Sequence, residues 1–329
     1  MQEVRQETKK NKRRISKPVG IALFYMVCAA TAAMVILHNN PLADKPTEDL
    51  KKICACALLL LACTIFGIYY DRIFIIPKEL FQNRELIWKL AKNDFKKRYA
   101  GSYLGFLWAL VQPVVTVVMY WIVFDVVFDT RSQMVASGVE VPYVLFLTAG
   151  LVPWFYFSEG ITNGTNALLE YSYLVKKVVF QIDALPVVKL ISALFTHAFF
   201  VVFMLVVFAV MGFYPDLYVL QIVYYSFCMV ILTAGLIYAT SAVTVFFRDM
   251  KEVVSILLQI GMWVTPIMWN FESMQGIPKW AVLLLKLNPM YYIVSGYRDA
   301  LINKTAFWEH PGLTLWFWGI TLFTLWTGT

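Results

Sequence analysis

An all-α protein that crosses a membrane several times is the fold class this sequence predicts, on three observations. Hydrophobic residues make up 60% of the 329 positions and charged residues 15%, with a mean hydropathy of +0.66, far more apolar than a soluble domain of that size. Apolar runs of about 20 residues, the length that carries a helix across a hydrocarbon core of about 30 Å, recur roughly eight times. Lysine and arginine gather between those runs, as the orientation of membrane helices requires.

The elements follow in order. Residues 1–18 form a basic tail with Lys9, Lys10, Lys12, Arg13, Arg14 and Lys17, which places the N-terminus in the cytoplasm. The run at 19–37 is longer than the h-region of a signal peptide and reads as a retained anchor. With the run at 53–70 it makes a two-span hairpin within 19–79. Residues 80–100 are too polar to span, but Ile87, Leu90, Ala91 and Phe95 recur at helical spacing opposite Lys89, Lys92, Lys96 and Lys97. That pattern predicts an amphipathic helix lying at the membrane surface.

The remaining chain, 101–329, forms the transmembrane core. Its runs lie at 104–128 with Pro113, from 143 with Pro153, then at 187–211, 218–247, 253–269 with Pro266, and 313–329. The loop at 163–186 is cytoplasmic and long for a mere connection. Residues 270–311 hold two short apolar pieces broken at Asn288 and Pro289, a pattern predicting a re-entrant hairpin.

Several function classes are excluded. The net charge of +7 sits in loops flanking apolar runs, so it reflects orientation and not nucleic-acid binding. No phosphate-cradling glycine loop, H-E-x-x-H or G-x-S-x-G occurs, so nucleotide hydrolysis belongs to another chain. Cys28, Cys54, Cys56, Cys63 and Cys228 lie within apolar runs without metal-site spacing and read as buried thiols. His38, His197 and His310 are scattered, and His197 reads as a packed, hydrogen-bonded residue. Asp125 and Glu159 fall near outer or broken helix ends, which favours contact with water.

Six stretches, taken together, carry a family resemblance: residues 93–113 (NDFKKRYAGSYLGFLWALVQP), 150–155 (GLVPWF), 173–180 (YLVKKVVF) with Leu185 and Pro186, the pair Arg248 and Asp249, Thr265 to Ile267, and 288–292 (NPMYY) with Tyr297 and Arg298. Over about residues 80–328 the chain resembles ABC-2 type polysaccharide export permeases, the transmembrane subunits of O-antigen, capsule and teichoic-acid ABC exporters. The resemblance implies a six-span core like that of type V exporters, with an interfacial helix before the first span and re-entrant helices before the last. It implies a homodimer bound to two copies of a separate ABC ATPase, which holds ATP and Mg, so this chain has no catalytic site, cofactor or metal of its own. It places the protein in the bacterial cytoplasmic membrane, with an undecaprenyl-type lipid-linked polysaccharide as cargo. The hairpin at 19–79 is additional to that core, and the cytoplasmic tail that usually follows the last span is missing, as a chain cut short would have it.

Within that framework residues take roles. Asn166, Glu170, Tyr173, Leu174 and Lys177 are expected to couple to the ATPase. Lys97, Arg98 and Arg248, at the cytoplasmic boundary, are expected to hold the carrier's pyrophosphate, arginine by its bidentate fork. Trp108, Tyr120, Trp121, Trp154, Phe155, Tyr156, Trp263 and Trp269 are expected to line a polysaccharide channel, because flat aromatic faces accept sugars of any register. An ABC-2 permease for drugs or lipids is the rival reading of the same fold. An ion-coupled transporter would need ionisable groups near the midplane, and a membrane glycosyltransferase would need clustered acids.

Overall fold

The computed structural model describes residues 17–37, 79–98, 100–103, 105–128, 133–134, 140–172, 182–270 and 278–328, with scattered positions between 49 and 67. The chain divides into two compact units, residues 1–82 and 83–329. In the first, α1 (Lys17–Leu37) is a 21-residue apolar helix, as its run predicts, and Phe24 stacks on Phe66 with ring centroids 3.8 Å apart. The basic tail up to Ser16 and half of the 53–70 run lie outside the described residues.

The second unit begins with α2 (Arg84–Arg98), the predicted amphipathic helix. Glu85 in its first turn and Lys96, Lys97 and Arg98 in its last both complement the helix dipole. After a 3-10 turn, α3 (Trp108–Trp121) runs straight into a π-helical stretch, Ile122–Val127. Among the described residues, the one departure from helical regular structure is a two-residue ribbon, β1 (Gln133–Met134) paired antiparallel with β2 (Glu140–Val141).

Three described helices are long and apolar enough to cross a membrane by length and composition: α4 (Tyr143–Thr165), α6 (Ala184–Val210) and α7 (Gln221–Phe246), the last with its leading turn from Leu217. The short α5 (Ala167–Glu170) follows α4. Next to α7 packs α11 (Pro311–Gly328), which carries no charge over 18 residues and rises about 27 Å. Among these α4 is central. Of its 23 residues 18 are buried, as befits a helix apolar all round, and it packs against α6, α7 and α10. Pro153 sits inside it.

The apolar run at 253–269 does not stay helical throughout. The helix α8 (Met250–Val264) stops one residue short of Thr265, which is extended at φ −73° and ψ 127°. Proline at 266 forces this, because its ring clashes with a helical residue before it. The broken region beyond resolves into α9 (Lys279–Leu287) and α10 (Pro289–Arg298). Asn288 separates them and caps α10 by accepting from the Met290 N–H at 3.0 Å, and Pro289 occupies the first helical position, where a missing N–H costs nothing. The chain leaves α10 through a π-helical stretch, Asp299–Asn303. A close approach makes this packing possible: a methyl group at Gly296 would fall on the Tyr225 ring of α7.

Candidate functional site

On α2 the residues Ile87, Ala91, Asp94 and Arg98 follow at helical intervals and form one stripe. The first two are buried, so the same face that packs on the bundle presents Asp94 and Arg98 to it. There four elements meet through charges. Lys189 of α6 donates from Nζ to Asp94 Oδ1 at 2.7 Å and also to Glu170 at the end of α5. The Tyr171 hydroxyl donates to the same Asp94 oxygen at 2.8 Å, and its ring lies 5.0 Å from the lysine nitrogen. Arg98 donates to Glu159 of α4 and lies 3.6 Å from Asp94 Oδ2.

Burial acts to raise the pKa of Asp94, but hydrogen bonds from Lys189 and Tyr171 and the lysine's charge outweigh it and hold the carboxyl below the usual carboxylate range. The result is a compact ionic joint. Glu170 is half exposed, and one lysine ties it to α6 and to Asp94 on α2.

A second joint lies towards the Tyr143 end of α4. Arg298, buried at the end of α10, donates from Nη1 to the Pro266 carbonyl and from Nη2 to the Ile267 carbonyl, both at 2.7 Å. Its guanidinium sits 3.5 Å from the Phe146 ring centroid, a cation–π contact. Gly150 leaves the room, since a methyl there would press on Arg298 and Ile267 at 3.1 Å. Asn288 donates to Thr265 Oγ1 at 2.8 Å, and Tyr143 donates to the Met268 carbonyl. Three of the quoted stretches therefore converge here, and the carbonyls freed by the break at Pro266 are satisfied by one planar cation.

Between the two joints, His197 shares its Nε2 with Tyr297 and Ser226, at 3.1 and 3.3 Å. Its ring lies 5.1 Å from that of Tyr156. The packed, hydrogen-bonded reading of this histidine holds.

The other expected site residues are dispersed. Lys97 and Arg248 are exposed and make no ion pair among the described residues; Arg248 does not pair with its neighbour Asp249. Asn166 donates to the Thr162 carbonyl at 3.1 Å in the turn between α4 and α5. Tyr173, Leu174 and Lys177 lie outside the described residues. Of the aromatic set, Trp154 and Tyr156 are buried in the core, Phe155, Tyr120 and Trp269 are half buried, and Trp108, Trp121 and Trp263 are exposed. Glu159, expected to meet water, is instead paired with Arg98, because the stripe on α2 brings a cation to it.

Lys189, Asp94 and Tyr171 carry no role in the pattern of the sequence alone. A signal for Lys189 existed: it is the single charge in a 27-residue apolar helix, and a lone cation there needs a partner. Asp94 carried none by itself, since an acid on an amphipathic helix is ordinary.

A model of the ABC-2 type transporter family matches residues 85–302. The chain is 30% identical over 235 residues to the O-antigen export system permease protein RfbA of Myxococcus xanthus, covering 71% of this chain and 85% of that protein. It is 29% identical to an RfbA of Klebsiella pneumoniae, covering 72% and 88%. Against the polysialic acid transport protein KpsM of Escherichia coli the identity is 26%, over 64% and 78%. The matched span contains both joints.

Proposed function

The chain belongs to the ABC-2 type transporter family, and from that membership we propose that it is the permease subunit of an ABC exporter for lipid-linked polysaccharide. The observation that carries the reading is the similarity to O-antigen export permeases across most of both chains. The chain is a membrane transport subunit, and ATP is hydrolysed by a separate ATPase bound in two copies to a homodimer of this protein. The N-terminus and the loop after α4 face the cytoplasm of a bacterium, the basic flanks giving the orientation. The α9–α10 hairpin is re-entrant from the other side, and six spans make the core. O-antigen, capsule or teichoic acid on an undecaprenyl-type carrier is the cargo.

Residues divide the labour. Exposed Lys97 and Arg248 meet the carrier's pyrophosphate, while Arg98 is held by Glu159 and links α2 to α4. Asn166 and Glu170, with Tyr173, Leu174 and Lys177, receive motion from the ATPase, and Lys189 passes it on. Exposed Trp108, Trp121 and Trp263 are free to border a polymer path where two copies meet.

The test is reconstitution of the purified permease with its ATPase in vesicles that carry the lipid-linked polymer. ATP-dependent appearance of polymer on the far side, absent without either subunit, is the expected result. Polymer-independent ATP turnover that instead extrudes a lipophilic drug would sink the reading.

A further inference from the structure

A groove of about 520 Å³ lies between α2 and α6, within the size range of small-molecule sites. Its apolar wall is aromatic. Trp88 meets Phe195 edge-on at 5.2 Å, Phe95 meets the same ring at 5.6 Å, and Phe199 lines it further along. Lys92 and Lys96, one turn apart on α2, line it as well. Both are exposed and neither is ion-paired among the described residues; Asp94, Glu159 and Glu170 pair with Lys189 and Arg98. Thr196 also lines the groove. It is only 6% exposed, and its hydroxyl has no hydrogen-bond partner in the protein, although a helical threonine has the carbonyl one turn back within reach. A buried hydroxyl left without an acceptor is costly.

Unsatisfied cations, an unsatisfied hydroxyl donor and an aromatic wall call for an amphiphile with an anionic head, an acceptor oxygen next to it and a hydrocarbon tail. We propose that this groove binds an anionic phospholipid of the cytoplasmic leaflet, with its phosphate on Lys92 and Lys96, an ester carbonyl on Thr196, and an acyl chain along Phe195 and Phe199. The inference rests on the membrane orientation given above. It makes α2 a lipid-anchored lever: the helix that carries Asp94 and Arg98 is pinned to the leaflet by one face and to the bundle by the other.

The experiment is a lipid titration of the purified permease–ATPase complex by native mass spectrometry. Phosphatidylglycerol, phosphatidylcholine with the same acyl chains, and a polyprenyl pyrophosphate are compared. A basic side chain near an anionic surface is worth about fivefold, so two lysines give phosphatidylglycerol a preference of about twentyfold or more over phosphatidylcholine. In Lys92→Gln/Lys96→Gln that preference falls to about threefold or less. In Lys89→Gln/Lys251→Gln, which removes equal charge elsewhere, it stays. Thr196→Val weakens both phospholipids alike. Equal binding of the two phospholipids, or equal loss in both double variants, overturns the proposal. So does displacement of phosphatidylglycerol by a smaller amount of the polyprenyl pyrophosphate, which would give the groove to the cargo carrier. A complex that shows the lipid preference but exports no polymer counts against the export reading alone.

Discussion

Lys189 on α6 reaches the Asp94 carboxylate on α2 at 2.7 Å, with the lysine side chain 6% and the aspartate 11% exposed. Such a pair contributes little net stability, yet removing one member leaves a buried charge without its counterpart and costs about 3–5 kcal/mol. Lys189→Met is therefore expected to cost about 3 kcal/mol, at the low end because Arg98 stays near Asp94. Lys189→Met with Asp94→Asn should recover part of the loss. Thermal unfolding in detergent with the ATPase absent measures both, and full additivity of the two changes would contradict the joint.

The same pair fixes a pH window. The Asp94 carboxyl has its folded value lowered, so its contribution is present above the unfolded carboxylate value near about 4 and is lost only as pH falls through the lower folded value. Docking of α2 should then be unchanged from pH 8 to about 5. The distance between nitroxide labels placed at exposed Lys89 on α2 and exposed Val202 on α6, read by electron–electron double resonance, is the check, because thiol exchange would itself slow as the thiolate is lost. A longer distance at pH 5 than at pH 7 would mean that another group governs the contact.

Helix existence was legible wherever one local rule dominated. The helix at residues 143 to 165 begins where its apolar run does but continues to Thr165, into the loop expected from 163, and α2 shows the period of its apolar stripe. The end of α8 was misplaced because the run stays apolar past Pro266, so hydropathy gave no stop where backbone sterics did. The site was half legible. Motif stretches such as Thr265 to Ile267 and Tyr297 with Arg298 could be quoted, but that Arg298 fills the carbonyls of the other follows only from tertiary packing across 31 and 32 residues. Burial of Trp154 and Tyr156 is equally invisible in sequence, where an aromatic in a span has the same pattern whether it faces core, lipid or channel.

Arg298 offers a sharp substitution. Arg298→Lys keeps the charge but loses the planar fork that meets two carbonyls and stacks on Phe146. Losing one charge-assisted hydrogen bond costs about 1.5–3 kcal/mol, and a protease-accessible segment should appear around residues 265–290. Limited proteolysis in the membrane, with Lys304→Arg as a surface control, reads this directly.

Packing between α10 and α7 predicts an asymmetry between glycines. Gly296→Ala drives a methyl into the Tyr225 ring, whereas Gly319→Ala meets nothing within 4 Å. Overpacking costs about 1–3 kcal/mol, while the exposed helical position should gain up to about 1 kcal/mol from better helix propensity. Opposite shifts in Tm are the expected result, and a neutral Gly296→Ala would contradict the close approach.

The Arg98 and Glu159 pair separates a mechanical role from cargo capture. Arg98 has Glu159 as a direct partner and Asp94 at 3.6 Å, so its fork is already occupied by carboxylates. A link between α2 and α4 requires both members, and removing either should break it. Arg98→Lys and Glu159→Gln should then each lower ATP-driven export, and the double variant should be no worse than the poorer single one, the signature of two residues acting as one unit. Binding of a lipid pyrophosphate glycan to the resting complex should stay within about twofold in both, whereas Lys97→Gln/Arg248→Gln should weaken it about tenfold or more, the loss expected for a charge-assisted phosphate contact. Were Arg98 instead the capture residue, Glu159→Gln would free its fork and tighten glycan binding while Arg98→Lys weakened it. Opposite signs in those two variants would therefore transfer Arg98 from the joint to the cargo site.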